Sequence, residues 1–281
     1  MRRTLLSLSL LSVLLAVPLT ATAAPILYAS TGGIGSNLYV IDVATGTTTL
    51  VGATGVDRMS GLDFDASGVL YGIAGGSAGP ASLYTIDITT GAATLVGAVS
   101  GIQGADGLAF DSAGTLYAGG WSGTAGRLLT LDPATGAILT NIGMTGSGND
   151  FVAGLDVDGA NQLWGSRGNA FGSTEDLVTI DPTTGVQTAV GGNFSVISGI
   201  WFDVDGTLYA ISTSGGVLTI DPITGTQTLL FNTGISNLSG LTGVVPEPST
   251  LLLAATAAVV LRRRLRRDSS GREAASSSRT I

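Results

Sequence analysis

Leu83-Tyr84-Thr85-Ile86-Asp87, completed three residues later by Thr90-Gly91, is written five times along the chain. The other copies are Leu38-Tyr39-Val40-Ile41-Asp42 with Thr45-Gly46, Leu128-Leu129-Thr130-Leu131-Asp132 with Thr135-Gly136, Leu177-Val178-Thr179-Ile180-Asp181 with Thr184-Gly185, and Val217-Leu218-Thr219-Ile220-Asp221 with Thr224-Gly225. The aspartates are 45, 45, 49 and 40 residues apart. A period of this size marks a stack of equivalent units, each too small to bury its own apolar face. Asp42, Asp87, Asp132, Asp181 and Asp221 end a β-prone run and open a tight turn, where a carboxylate can accept turn N–H groups. Pro133, Pro182 and Pro222 follow the Asp in three copies, suiting the first turn position. The runs after the turn (47–51, 92–96, 137–142, 186–190 and 226–231) complete a hairpin.

A second pair of strands is equally regular. Gly61-Leu62-Asp63-Phe64-Asp65 leads through Gly68 to Leu70-Tyr71, and Gly107-Leu108-Ala109-Phe110-Asp111 leads through Gly114 to Leu116-Tyr117. Gly199-Ile200-Trp201-Phe202-Asp203 leads through Gly206 to Leu208-Tyr209. The copy from Gly154 to Trp164 reads as carrying one extra turn residue. Asp65, Asp111, Asp158 and Asp203 end the first strand of this pair and read as organisers of the following turn. Four short antiparallel strands per unit predict an all-β fold, a five-bladed β-propeller with four-stranded antiparallel blades. The body opens with one spare strand at Ile26-Leu27-Tyr28-Ala29 and ends with another at Ser239-Gly240-Leu241-Thr242-Gly243-Val244. These two terminal strands are expected to close one blade, three strands coming from the start and one from the end. The same hairpins would also serve a β-sandwich or an open solenoid. The repeats are similar to those of exported bacterial propellers with Ile-Asp-x-x-Thr-Gly turns, over nearly all of residues 26–244.

Composition narrows the chemistry. The 281 residues include 43 Gly but no Cys, His or Lys. That excludes a disulfide framework, Cys or His metal ligands, a Cys or His nucleophile or base, and a Schiff-base lysine. Between Pro25 and Val244, Arg58, Arg127 and Arg167 face 17 acidic residues, a formal balance of -14. Such a body should repel nucleic acid and anionic lipid.

The ends carry address-like patterns. Residues 1–23 read as a signal peptide for signal peptidase: Arg2 and Arg3, an apolar stretch from Leu5 to Leu19, then Ala21-Thr22-Ala23. Residues 24–244 are the expected propeller domain. Beyond it, Val245-Pro246-Glu247-Pro248 is followed by an eleven-residue apolar run, Leu251 to Leu261, and by Arg262, Arg263, Arg264, Arg266 and Arg267. As a helix, 248–261 would reach about 21 Å against a bilayer core of about 30 Å. Transient membrane contact is therefore easier than a lasting anchor. Residues 245–267 resemble the PEP-CTERM sorting signal. That resemblance implies recognition of Pro246, Glu247 and Pro248 by an exosortase and removal of the tail. It also implies export to the cell surface or extracellular matrix of an exopolysaccharide-making Gram-negative bacterium, with membrane association before processing. Residues 268–281 form an expected disordered tail.

Non-repeated residues are the better candidates for recognition. Trp121, following Gly119-Gly120, suits stacking on a glycan or partner, and Arg127, Arg167 and Asp150 lie among variable loops. Trp164 and Trp201 read as blade packing. Asp156-Val157-Asp158-Gly159 and Asp203-Val204-Asp205-Gly206 begin like calcium loops but lack the later bidentate Glu, so no cofactor or metal site is expected beyond weak Ca²⁺ binding. The leading expectation is a noncatalytic exported propeller binding a glycan or surface protein through its loops. The alternative is a polysaccharide-acting hydrolase or lyase using acidic loop residues such as Asp106, Asp150, Glu175 and Asp176.

Overall fold

The computed structural model describes residues 23–76, 79–146, 151–168, 175–194 and 197–244. Ala24–Pro246 is one compact unit; apart from Ala23, the second unit, Met1–Ala23 with Glu247–Ile281, lies outside the described residues. The expected signal peptide, the Pro246-Glu247-Pro248 motif, the basic cluster Arg262, Arg263, Arg264, Arg266 and Arg267, and the tail 268–281 therefore lie outside them.

The body opens with β1 (Ile26–Thr31), β2 (Asn37–Asp42) and β3 (Thr47–Ala53). Four complete blades follow. They are β4 (Met59–Phe64), β5 (Leu70–Gly76), β6 (Gly79–Ile86) and β7 (Ala93–Val99); β8 (Gly104–Phe110), β9 (Leu116–Ser122), β10 (Ala125–Leu131) and β11 (Ile138–Gly143); β12 (Phe151–Val157), β13 (Leu163–Gly168), β14 (Glu175–Ile180) and β15 (Gln187–Phe194); and β16 (Ile197–Phe202), β17 (Leu208–Ser212), β18 (Gly216–Ile220) and β19 (Gln227–Asn232). The last strand, β20 (Leu238–Val244), returns to pair antiparallel with β1, giving the order β20-β1-β2-β3. Ile26 faces Val244, Leu27 faces Gly243 and Ala29 faces Leu241. The chain is thus an all-β, five-bladed propeller whose ends share a blade, and neither sandwich nor solenoid.

The apolar core lies between blades. Five buried clusters occupy the five seams, each drawing side chains from two neighbouring sheets. Leu116 and Leu129 of one blade, for example, meet Ile73 and Leu83 of the preceding one. Full burial of each such side chain is worth about 1.5–3 kcal/mol, and no isolated blade could obtain it.

The inner strands β4, β8, β12, β16 and β20 surround the axis. Gly61, Gly107, Gly154, Gly199 and Gly240 occupy the same position in all five, and each lies against the next inner strand. A Cβ at Gly107 would stand 2.7 Å from Leu155 Cβ, one at Gly199 2.7 Å from Leu241 Cβ, and one at Gly240 2.8 Å from Leu62 Cγ. The five glycines are what let five inner strands come this close. The axial cavity left between them is only about 10 Å³, roughly the room of one water.

Strand direction gives the propeller two ends. At the turn end lie the links from first to second strand and from third to fourth; at the loop end lie the other two connections. One expectation is corrected here. The turn from Asp158 to Leu163 has no extra residue and matches Asp65 to Leu70 in length. Asn161, at φ 66°, takes the left-handed place held by Gly68, Gly114 and Gly206 at φ 83°, 84° and 86°. Asparagine tolerates this region better than most residues because its short polar side chain bonds locally.

Candidate functional site

At the turn end the repeated acids bond their own loops. The Oδ1 of Asp42, Asp87, Asp132, Asp181 and Asp221 accepts the N–H two residues ahead at 2.7–2.9 Å. The N–H of Gly46, Gly91, Gly136, Gly185 and Gly225 donates back to the Asp carbonyl at 2.7–2.8 Å. Donation to the charged form holds four of these carboxylates below the usual range: the Thr89 and Thr135 side chains are the main cause at Asp87 and Asp132, and the Thr183 and Ile223 N–H groups at Asp181 and Asp221. In the other turns, Asp65, Asp111 and Asp158 accept two backbone N–H groups each. In the last blade Asp205 caps Thr207 N–H while Asp203 is buried, and burial raises its pKa.

The loop end is irregular, and two neighbouring blades carry the sequence candidates. Trp121, near the end of β9, is half-buried and meets Phe151 of the next blade edge to face, with ring centroids 5.2 Å apart. Its indole covers Gly104, directly opposite on β8, where any Cβ would overlap it. Arg127, near the start of β10, pairs with Gly120 across the strand, so its side chain leaves the opposite sheet face from Trp121. Its Nε is shielded from solvent without a hydrogen-bond partner. Arg167 is 7% exposed and forms a 2.5 Å ion pair with Asp176, its cross-strand neighbour. Asp150 lies outside the described residues. Trp121 and Phe151 thus come together, Arg127 sits behind them, and Arg167 is already paired. Asp106, half-buried at the loop end of β8, has its pKa pushed up to about 7 by burial, with the Ser60 hydroxyl opposing the rise.

Asp63, to which the sequence assigned no role, and Asp156, which opens the rejected calcium-loop pattern, lie buried on the inner strands. Asp63 Oδ1 accepts from Phe64 N–H at 2.8 Å and from Thr242 Oγ1 at 2.9 Å, while Oδ2 accepts from Phe110 N–H at 2.6 Å. Asp156 Oδ2 accepts from Phe202 N–H, and its carboxylate also from Val157 N–H. Together the two carboxylates tie all five inner strands. Burial lifts Asp63 to about 6, against the bonds from Phe110, Thr242 and Phe64; burial and then the Asp63 charge lift Asp156 well above the usual carboxylate range. A sequence signal existed: the equivalent positions elsewhere hold Ala109, Trp201 and Thr242, so an acid there breaks the repeat. Among the described residues, no three acidic side chains converge as metal ligands, and no helix is long and apolar enough to cross a membrane.

Comparison with known families supplies what geometry does not. A family described as "Repeat of unknown function (DUF6923)" matches residues 65–240, more than half of the chain. The chain belongs to that family. Residues 244–267 of this DUF6923 protein match the PEP-CTERM protein-sorting motif, beginning on the last residue of β20. The protein is accordingly an exported, cell-surface-associated exosortase substrate of the Gram-negative kind. No curated protein sequence matches it. Among solved structures, a chain of a nidogen/laminin complex is similar at 14% identity and a TM-score of 0.51, covering 78% of this chain and 97% of that one. TolB from Acinetobacter baumannii is similar at 15% identity and a TM-score of 0.50, covering 80% of this chain and 55% of that one. Likeness at these identities speaks for the propeller fold alone.

Proposed function

We propose that the DUF6923 protein is a noncatalytic surface or matrix propeller that binds a glycan or another surface protein through its loop end. In this reading signal peptidase removes residues 1–23 and exosortase acts at Pro246-Glu247-Pro248 after transient membrane contact. The observation that carries the binding role is the contrast between the two ends. At the turn end one oxygen of each repeated Asp is taken by its own backbone in blade after blade, whereas the loop end gathers non-repeated Trp121, Phe151 and Arg127 on adjacent blades. The aromatic pair fits the stacking contacts of a sugar or a partner's side chain, with the Arg127 cation on the other face of the same blade. The closed axis leaves no central substrate channel. The alternative, a polysaccharide hydrolase or lyase, draws on Asp106 as an acid, but glycosidic hydrolysis ordinarily takes a pair of carboxylates.

The test is binding of the processed protein to an array of extracellular glycans and to surface proteins of its host, beside Trp121→Ala and Arg127→Ala variants. Retained folding with at least about tenfold weaker binding in both variants, a loss of about 1.4 kcal/mol, is expected. Undiminished binding in both would remove the loop end from recognition.

A further inference from the structure

A hollow of about 680 Å³ opens at the turn end of the β16–β19 blade, lined by Asp205, Thr207, Thr219, Asp221, Thr226 and Thr228, with Leu208 and Ile220 beneath. The preceding blade shows the same spot filled by a side chain. There Gln162, immediately before β13, donates its Nε2 hydrogens to the carbonyls of Leu163 at 2.9 Å and Ile180 at 3.1 Å. Leu163 and Ile180 face each other across β13 and β14, as Leu208 and Ile220 do across β17 and β18. The residue in the place of Gln162 is Thr207, whose side chain is too short to span both carbonyls. The β12–β15 blade closes this spot with its own amide; the β16–β19 blade, like those that carry Val69 and Thr115 in this place, does not.

The row Trp201, Tyr209, Thr219, Thr228 crosses the sheet on one face in direct register. Its inner half is a stacked Trp201–Tyr209 pair against Gly243, and its outer half is threonine. Asp221 directs one carboxylate oxygen to the N–H groups of Ile223 and Thr224, and Asp205 directs one to Thr207. The lining thus offers threonine hydroxyls, two carboxylates and no cation. It suits a ligand rich in neutral hydrogen-bond donors and repels an anionic one.

We propose that this hollow is a carbohydrate subsite for neutral sugars, in which a ligand hydroxyl or amide takes the place that the Gln162 side chain fills one blade earlier. The proposal rests on the glycan-binding reading above and gives it a second contact, at the opposite end of the propeller.

The test uses amide chemical shifts of the processed protein titrated with maltotriose and cellotriose, and with trigalacturonate as the anionic control. Shifts centred on Thr207, Leu208, Ile220 and Thr226 are expected with a neutral trisaccharide and not with trigalacturonate. Thr207→Gln should weaken that binding at least about tenfold while keeping or raising the melting temperature, because it restores the plug. Thr207→Ser should bind like the parent. Neutral-sugar shifts confined to the Trp121 end, or binding unaffected by Thr207→Gln, would overturn the subsite and leave the loop-end reading standing. Absence of shifts with both neutral sugars would overturn the subsite as well, and the glycan array then decides the wider reading separately.

Discussion

A methyl group added at Gly107 would press on Leu155 of the next inner strand at a distance real side chains do not adopt. Gly107→Ala should therefore cost about 1–3 kcal/mol by overpacking, read as a shift in the denaturation midpoint. An unchanged midpoint would mean that the axis is looser than described. The buried acids set the pH response. Asp63 (about 6), Asp106 (about 7) and Asp156 all have folded pKa values above those of the unfolded chain, so the native state binds more protons and stability falls as pH rises through these values. Asp65, Asp87, Asp132, Asp181 and Asp221 are shifted down and act oppositely, contributing stability above about pH 4 that is lost as pH falls further. The melting temperature should accordingly peak in mild acid, near pH 4–5, and decline toward pH 8. Asp156→Asn should flatten the alkaline side of that profile, since it removes the charge that faces Asp63. A profile that climbs steadily to pH 8 would contradict the assignment.

At the scale of strands and turns, Asn161 is the sharpest test. It holds a left-handed backbone, and its Oδ1 accepts from the N–H and hydroxyl of Ser112 in the preceding blade at 3.0 and 2.9 Å. Asn161→Ala should cost about 1–2 kcal/mol from the backbone conformation alone. Asn161→Gly should cost less, losing only the two exposed side-chain bonds to Ser112; equal losses would show that these bonds, not the backbone, matter. The sequence made the strands and eight of the nine turn-end turns legible because Asp, Gly and alternating apolar residues recur at fixed spacings. It misled at Asn161 because the left-handed position that is glycine in the other three turns is held there by asparagine. The outer strands show a related limit. Gly52, Gly97 and Gly191 receive the next blade's turn backbone, whereas at the closing seam the equivalent residue is Phe231, on which Gly46 rests with ideal Cβ 3.6 Å from the ring. Phe231→Ala should loosen that seam by about 2 kcal/mol, below the cost for a fully buried Phe because this one is half-exposed.

For the whole molecule, the closed ring and the loop-end arrangement depend on contacts between blades that no local pattern spells out. Trp121 meets Phe151 across a seam, and Asp63 bonds Thr242, which lies 179 residues later in the chain. Such partners become visible only once the ring is closed: the break in the repeat marks Asp63 and Asp156 as unusual, but the strands that they bond cannot be read from it. Closure itself was readable, because one strand was left over at each end of a whole number of blades. It makes the last strand indispensable: a chain ending before β20 should lose cooperative unfolding, since β1, β4 and β16 would each lose an inner neighbour. Pairing of β1 with β20 is the central claim, and the absence of native cysteine gives it a clean test. Ile26→Cys combined with Val244→Cys places two thiols at directly opposed positions, within disulfide reach across an antiparallel pair. Mild oxidation of the folded protein should give an intramolecular disulfide, seen as a loss of about 2 Da and faster migration on a non-reducing gel; free thiols or only intermolecular dimers would contradict the closed propeller.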